Sequence, residues 1–212
     1  MIQITRFIFN SFLVNNYILS DETKECVLVD AACYDNSEKQ TFTDFIKTNG
    51  LKPVRNINTH CHIDHVLGNQ FMADTFQVYP EFHKDSLPYF KTSKEIGISF
   101  GYRIEQLPNA KAYLEDGDIV KFGNSELKVL YTPGHAEGSI CLYNEKQGFV
   151  ITGDVLFKDT VGRTDLPGSD FEKLMKSIKT KLFTLPDDTV VYPGHGSETT
   201  IGYEKINNPY IF

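Results

Sequence analysis

Basic residues are in short supply: 21 lysines and arginines stand against 28 aspartates and glutamates, for a formal net charge of −7. Nucleic acid is held through its phosphates by clustered cations, so this deficit argues against it as a partner. The deficit says little against small anions, because bound divalent metals would make a pocket locally positive. No apolar run approaches the ~20 residues that span a bilayer, and no membrane partner is expected. The start, Met1-Ile2-Gln3-Ile4-Thr5-Arg6-Phe7-Ile8-Phe9, alternates like a strand and lacks the basic leader and apolar stretch of a signal peptide. A cytoplasmic protein is therefore expected. Cysteine is sparse (Cys26, Cys33, Cys61 and Cys141) and forms no Cys-x-x-Cys pair, so neither a disulfide framework nor a thiolate zinc site is indicated. Low-complexity tracts, blocks of like charge and fixed-period repeats are also missing.

What remains is a chain of 212 residues, 41% hydrophobic and 23% charged, able to bury a large core as one domain over 1–212. Residues 2–9, 12–19 and 25–30 are rich in β-branched and aromatic side chains and read as a β-meander. Asn36 and Ser37 can cap a helix to residue 48, stopped by Asn49-Gly50. A strand over 52–58 and a short helix over 66–75 follow. Residues 81–109 have a helical pattern interrupted by Pro88 and Pro108. A second group of strands is expected near 119–122, 126–131, 139–143 and 148–151, then a helix over 171–183, a strand over 189–192 and a closing helix over 201–207. Two β-rich halves, each followed by helices, predict an α/β fold of two packed sheets with helices outside.

Five of the six histidines fall in three short segments. Thr59-His60-Cys61-His62-Ile63-Asp64-His65 places four coordinating groups in one tight loop. Thr132-Pro133-Gly134-His135 and Tyr192-Pro193-Gly194-His195-Gly196 each follow a Pro-Gly turn that can aim a histidine from a strand end. Thr152-Gly153-Asp154 lies between them. His60, His62 and His135 make one set of three ligands, and Asp64, His65 and His195 a second. A bridging Asp154 would give each of two metals a fourth protein bond and leave room for a shared water. Structural zinc sites are closed and thiolate-rich, whereas catalytic sites keep an open position. Two divalent ions, zinc first and iron or manganese next, would generate a bridging hydroxide and polarise a carbonyl, which is hydrolytic chemistry. In an extended or sharply turned segment the rings of His60 and His62 point together and Cys61 points away, as a packing residue. His83 lies outside the pattern and reads as surface or packing.

These motifs, in this order, resemble the metallo-β-lactamase fold superfamily, and within it the small glyoxalase II-like hydrolases. The resemblance runs nearly end to end and includes Gly162-Arg163-Thr164-Asp165 and Gly196-Ser197-Glu198-Thr199-Thr200. It implies an αβ/βα four-layer sandwich with the metals at one edge, and a bridging role for Asp154. It also implies that Asp64 ligates metal and helps orient the hydroxide, that Asp30 is a buried carboxylate supporting the metal ligands, and that Arg163 meets a carboxylate of the thiol carrier. The alternative for Arg163 is a local pair with Asp165.

An intact His65 and a bridging Asp154 steer the reading away from true β-lactamases. The acidic, compact chain does not suit the RNA-processing relatives, and there is no room for an appended flavodoxin-like domain. The preferred reaction is hydrolysis of a small-molecule thioester such as S-D-lactoylglutathione, whose leaving thiol, with a pKa of roughly 8.5 by analogy with cysteine, needs no strong general acid. Two departures bear on glutathione. The C-terminal helical domain of larger glyoxalase II enzymes does not follow Phe212, and Thr164-Asp165-Leu166 replaces the aromatic after the loop cation. The rivals are a persulfide dioxygenase, with one iron on His60, His135 and Asp154, and a lactonase.

Overall fold

The computed structural model describes residues 1–211. The first half opens with β1 (Gln3–Phe9), β2 (Val14–Ser20) and β3 (Glu25–Val29), an antiparallel meander. Helix α1 (Asn36–Thr48) then returns the chain so that β4 (Lys52–Ile57) lies parallel to β3. Its start is fixed by a capping box: Asp35 accepts from the Glu38 amide, and the Glu38 carboxylate reaches back to the Asp35 amide. Helices α2 (Ile63–Val66) and α3 (Asn69–Phe76) lead to β5 (Pro80–Phe82), and α4 (Leu87–Ser99) to β6 (Ala112–Tyr113). Together β1 to β6 form one sheet in sequential order.

The second sheet has the order β14-β13-β10-β9-β8-β7. It is built from β7 (Ile119–Phe122), β8 (Ser125–Tyr131), β9 (Ile140–Asn144), β10 (Phe149–Gly153), β13 (Val190–Pro193) and β14 (Thr199–Thr200). A small ribbon, β11 (Leu156–Phe157) and β12 (Thr160–Val161), precedes α5 (Phe171–Ser177), and α6 (Ile201–Asn207) closes the chain.

The period of two along the strands decides the layering. Tyr17, Leu19, Val27 and Val29 face inward to meet Leu127, Val129, Leu142 and Ile151 of the other sheet. Their neighbours Ile18, Cys26 and Leu28 point outward and are covered by Phe42 and Ile46 of α1 and Met72 of α3. On the opposite side Val150 and Val191 are covered by Leu174, Ile178 and Ile201. The result is the four-layer αβ/βα sandwich, helices outside two sheets.

Several elements depart from the sequence reading. The helix expected over 66–75 is two helices, divided at Gly68, whose amide bonds to the Ala31 carbonyl at 2.8 Å. A Cβ there would sit 2.8 Å from that same oxygen, so the two segments meet closely at a residue without a side chain. Pro88 interrupts nothing: it lies in the first turn of α4, where a missing N–H leaves no helical bond unmade. The helix expected over 171–183 is α5 followed by a π-helical turn, Ile178–Leu182. Strands β5, β6, β11, β12 and β14 are two or three residues long, too short to show a period. All four cysteines are buried free thiols, and no helix among the described residues is long and apolar enough to cross a membrane.

Candidate metal centre

The loop after β4 carries the first cluster. His62 caps α2 with extended backbone, so Asp64 and His65 fall in the first helical turn. The His60 and His62 rings lie 4.7 Å apart, edge to face, while Cys61 packs away from them with Phe82 and Phe90. His135 arrives on the loop after β8, which is tied to the first half by the Ile140 amide donating to the Thr59 carbonyl at 2.8 Å. Asp154 sits on the turn leaving β10. His195 follows β13 on a loop clamped by the first half: Asn15 Nδ2 donates to the Pro193 and Gly196 carbonyls, both at 2.9 Å, and Tyr17 Oη donates to Pro193 at 2.7 Å.

Three sets of nitrogen and oxygen atoms converge closely enough for a metal: His60, His62 and His135; Asp64, His65 and His195; and His60, His65 and Asp154. Asp154 lies between the first two. Its Oδ1 is 3.4 Å from His65 Nε2, and its Oδ2 is 3.7 Å from His135 Nε2 and 3.5 Å from His195 Nε2. Asp64 Oδ2 is 3.3 Å from His195 Nε2 and 3.5 Å from His65 Nε2. All seven sequence-derived ligand candidates are thus brought together.

The outer atoms of the rings are held so that the inner ones are free to coordinate. His135 Nδ1 donates to the Arg163 carbonyl at 2.9 Å, leaving Nε2 to face His62 Nδ1 at 3.0 Å. Thr59 Oγ1 donates to Asp30 Oδ2 at 2.7 Å and lies 3.2 Å from His60 Nδ1, which sets His60 Nε2 inward. Asp30 Oδ2 is also 3.0 Å from His65 Nδ1, and Asp30 Oδ1 accepts from the Thr59 amide at 2.7 Å. Outer partners of this kind fix the tautomer of a metal-binding imidazole. Asp30 is 1% exposed and has a positive φ of 53°.

Buried His60 Nε2 and Asp154 Oδ1 have no hydrogen-bond partner among the described residues. Leaving such atoms unpaired costs about 1–3 kcal/mol each, which a cation would relieve. The electrostatics agree with that fit. Burial, then the neighbouring imidazoles, push His60 well below the usual histidine range. Burial and His135 push His62 down to about 4. Burial also disfavours the charged form of His65, but Asp64, Asp154 and Asp30 outweigh it and raise its pKa. The carboxyl groups of Asp64 and Asp154 are lowered despite burial, chiefly by His65. Neutral imidazoles and ionised carboxylates are the forms that bind metal, so His60, His62, Asp64 and Asp154 are ready for it and His65 must first release a proton.

A cavity of about 740 Å³ opens directly onto His62, Asp64, His135, Asp154 and His195. Arg163 lines it, but the guanidinium is paired with Asp165 through two 2.7 Å hydrogen bonds and is 62% exposed. The local pairing is therefore present, and the contact of Arg163 with the centre runs through its backbone carbonyl. His83 is buried outside the centre and stacks on Tyr131 at 4.2 Å.

The sequence reading gave no role to Thr59, Asn15, Tyr17, Asn58 or Tyr89. Asn58 Nδ2 donates to the His65 carbonyl at 2.9 Å, and the Tyr89 ring meets His62 edge-on at 5.4 Å. Polar Asn15 and Asn16 inside an apolar strand were the available signal for the clamp on the His195 loop.

This geometry has counterparts in known proteins. The profile of the Metallo-beta-lactamase superfamily matches residues 10–195. Hydroxyacylglutathione hydrolase GloC of Haemophilus influenzae is 34% identical over 209 residues, covering 95% of this chain and 94% of that protein. The probable metallo-hydrolase YqgX of Bacillus subtilis is 33% identical over 196 residues, covering 92% and 90%. Among solved structures, BLEG-1 B3 metallo-beta-lactamase superposes with a TM-score of 0.87 at 30% identity, covering 99% of each chain. TTHA1623 in a di-iron-bound form gives 0.87 at 32%, covering 98% of this chain and all of that one (100%). ETHE1 from Myxococcus xanthus gives 0.78 at 27%, covering 98% and 83%. With the histidine loops, the two-sheet sandwich and these matches all agreeing, the chain belongs to the metallo-beta-lactamase superfamily, and that membership supports a metal-dependent hydrolase.

Proposed function

We propose that this chain, as one hydrolase domain, hydrolyses thioesters with a two-metal centre, in the manner of glyoxalase II. The observation that carries the reading is the placement of Asp154, whose two oxygens face His65 on one side and His135 and His195 on the other. A carboxylate so placed suits a bridge between two cations. The residues fit two metals: His60, His62 and His135 would hold one, Asp64, His65 and His195 the other. Bound divalent ions would supply Lewis acidity toward a carbonyl and lower the pKa of a shared water. Zinc is the first expectation; the di-iron form of TTHA1623 makes iron a real alternative.

The protein's own groups do the rest. Asp30 and Thr59 hold His60 and His65, and Arg163 holds His135 through its carbonyl. Of the cavity-lining groups that could protonate a poor leaving group, Tyr89 donates its hydroxyl to the Pro167 carbonyl, Arg163 is tied to Asp165 and Lys158 lies over the Tyr203 ring. A thiolate can leave without such help, which favours a thioester over an amide. The likeness to GloC supports the same substrate class, with S-D-lactoylglutathione the reference compound.

The likeness to ETHE1 gives some support to the persulfide dioxygenase alternative, and that to BLEG-1 makes a β-lactam a necessary comparison. The deciding experiment measures metal per chain on purified protein, with turnover of S-D-lactoylglutathione, other thioesters, a lactone and a β-lactam. Two metals per chain and thioester turnover are expected. One iron per chain with persulfide-dependent oxygen uptake would overturn the proposal.

A further inference from the structure

One wall of the cavity is a single stripe of α4 that is unlike the rest of the metal site. Tyr89, Ser93 and Ile96, with Phe100 capping the end of the helix, all line it, and their spacing of four, three and four residues puts them on one side. The stripe begins at the metals, where the Tyr89 ring lies 5.4 Å from His62. Eleven residues at ~1.5 Å each carry it roughly 16 Å away from them. Its polar atoms are spent elsewhere: Tyr89 Oη donates to Pro167 O at 3.2 Å, and Ser93 Oγ to Phe90 O at 2.7 Å. What the stripe presents is therefore apolar surface. Phe12, from the β1–β2 turn, extends it by packing edge-on against Phe100 at 5.3 Å.

Ile96 is 39% exposed and Phe100 56% exposed, and both line the cavity. Single exposed apolar residues need no explanation, but a contiguous line of them running out from a reactive centre marks a ligand's path. A three-carbon acyl group spans about one residue of extended chain, ~3.5 Å, and would touch only the metal end of the stripe.

We infer that the α4 stripe binds an extended apolar arm of the substrate, so that thioesters bearing an apolar chain of several carbons are preferred to those without one. This rests on the thioesterase reading. The arm can belong to the acyl group or to the thiol, and the chemistry recognised is the same.

The test uses metal-loaded enzyme and two series: S-acyl-N-acetylcysteamines with acyl chains from acetyl to octanoyl, and S-alkyl thioacetates over the same lengths. In at least one series kcat/KM should rise about two- to fourfold per methylene, as expected for partial to full burial of each group. The series that rises identifies which side of the thioester lies along α4. The double variant Ile96→Ser/Phe100→Ser should flatten that slope, whereas Ile98→Ser should keep it, since Ile98 is 72% exposed and does not line the cavity. Calorimetry with S-alkyl-N-acetylcysteamine thioethers, which cannot be hydrolysed, provides a second readout. Length-dependent binding without turnover of any thioester would sink the thioesterase reading and leave the apolar subsite standing. Flat slopes in both series with length-independent thioether binding would overturn the inference, as would a slope that the double variant leaves unchanged.

Discussion

Asp30 shows how far a residue's role can lie from its own sequence neighbourhood. It accepts from Thr59 twice and touches His65 Nδ1, so one buried carboxylate steadies both histidine sets. Asp30→Asn should lower metal affinity about 10- to 100-fold, the usual effect of losing an outer partner, with a folded protein still recovered. Metal titration of the purified variant checks this. His62→Ala removes a ligand with no replacement nearby, so turnover should fall to background and metal content should drop. Full activity with both metals retained would refute the assignment. Arg163→Ala separates two roles: a higher KM for anionic thioesters at constant kcat would mean that the guanidinium leaves Asp165 to meet substrate. An unchanged KM would leave it as the loop's internal pair.

Protonation also differs between the two sets. His62, pushed down to about 4, is neutral from pH 5 upward and gives up no proton to a metal. The depressed value means that the unfolded chain binds this proton first. Its contribution to metal-free stability is therefore complete above about pH 6.5 and is lost as pH falls toward 4. His65 and His195 are raised by their carboxylate neighbours and must release protons to bind. Dialysis from pH 7 to 5 should therefore empty the Asp64–His65–His195 set before the other. Metal analysis at each step, with His195→Ala as the reference for a vacant second set, reads the order.

At the scale of elements, the two Pro-Gly-His loops use their glycines differently: Gly134 lets α5 approach, where a Cβ would fall 2.2 Å from Leu174 N, and Gly194 gives way to the ligand side chains. A Cβ on Gly194 would fall 2.1 Å from Asp154 Oδ1 and 2.9 Å from His65 Cε1. Gly194→Ala should thus displace the Asp154 carboxylate, reducing metal content and activity far more than stability. Gly68→Ala makes the contrasting case, since its clash is with the Ala31 carbonyl. Strain of about 1–3 kcal/mol is expected there, lowering Tm by several degrees in a thermal melt while the ligands stay in place. The sequence made the long strands and the place of the first helix legible, because alternation and a polar start survive in one dimension, although the cap is Asp35 rather than Asn36 or Ser37. It hid the two-residue strands, and it hid the break at Gly68, which only the approach of Ala31 explains.

Over the whole molecule, the ligand identities were readable because six of the seven lie in three compact histidine motifs. Their partners were not, because they come from strands distant in sequence. Asn15 and Tyr17 hold the His195 loop across the gap between the sheets, and the polar Asn15-Asn16 pair in an apolar strand marks the spot without naming the loop that it holds. The shape of the cavity was equally hidden, since α4 came from the segment whose prolines looked disruptive. Chelation should lower Tm, because a cation binding only the folded state stabilises it by about 2.7 kcal/mol at a hundred times Kd.

Neither half of the chain owns a full set of ligands: His60 and His62 need His135, and Asp64 and His65 need His195. The centre is consequently a rivet as well as a reagent. With cobalt substituted for the native ion, its visible absorption would track the docking of one sheet against the other. Folding could then be followed from the site itself, and any variant that loosens the seam would register as a change of colour before it registered as a loss of structure.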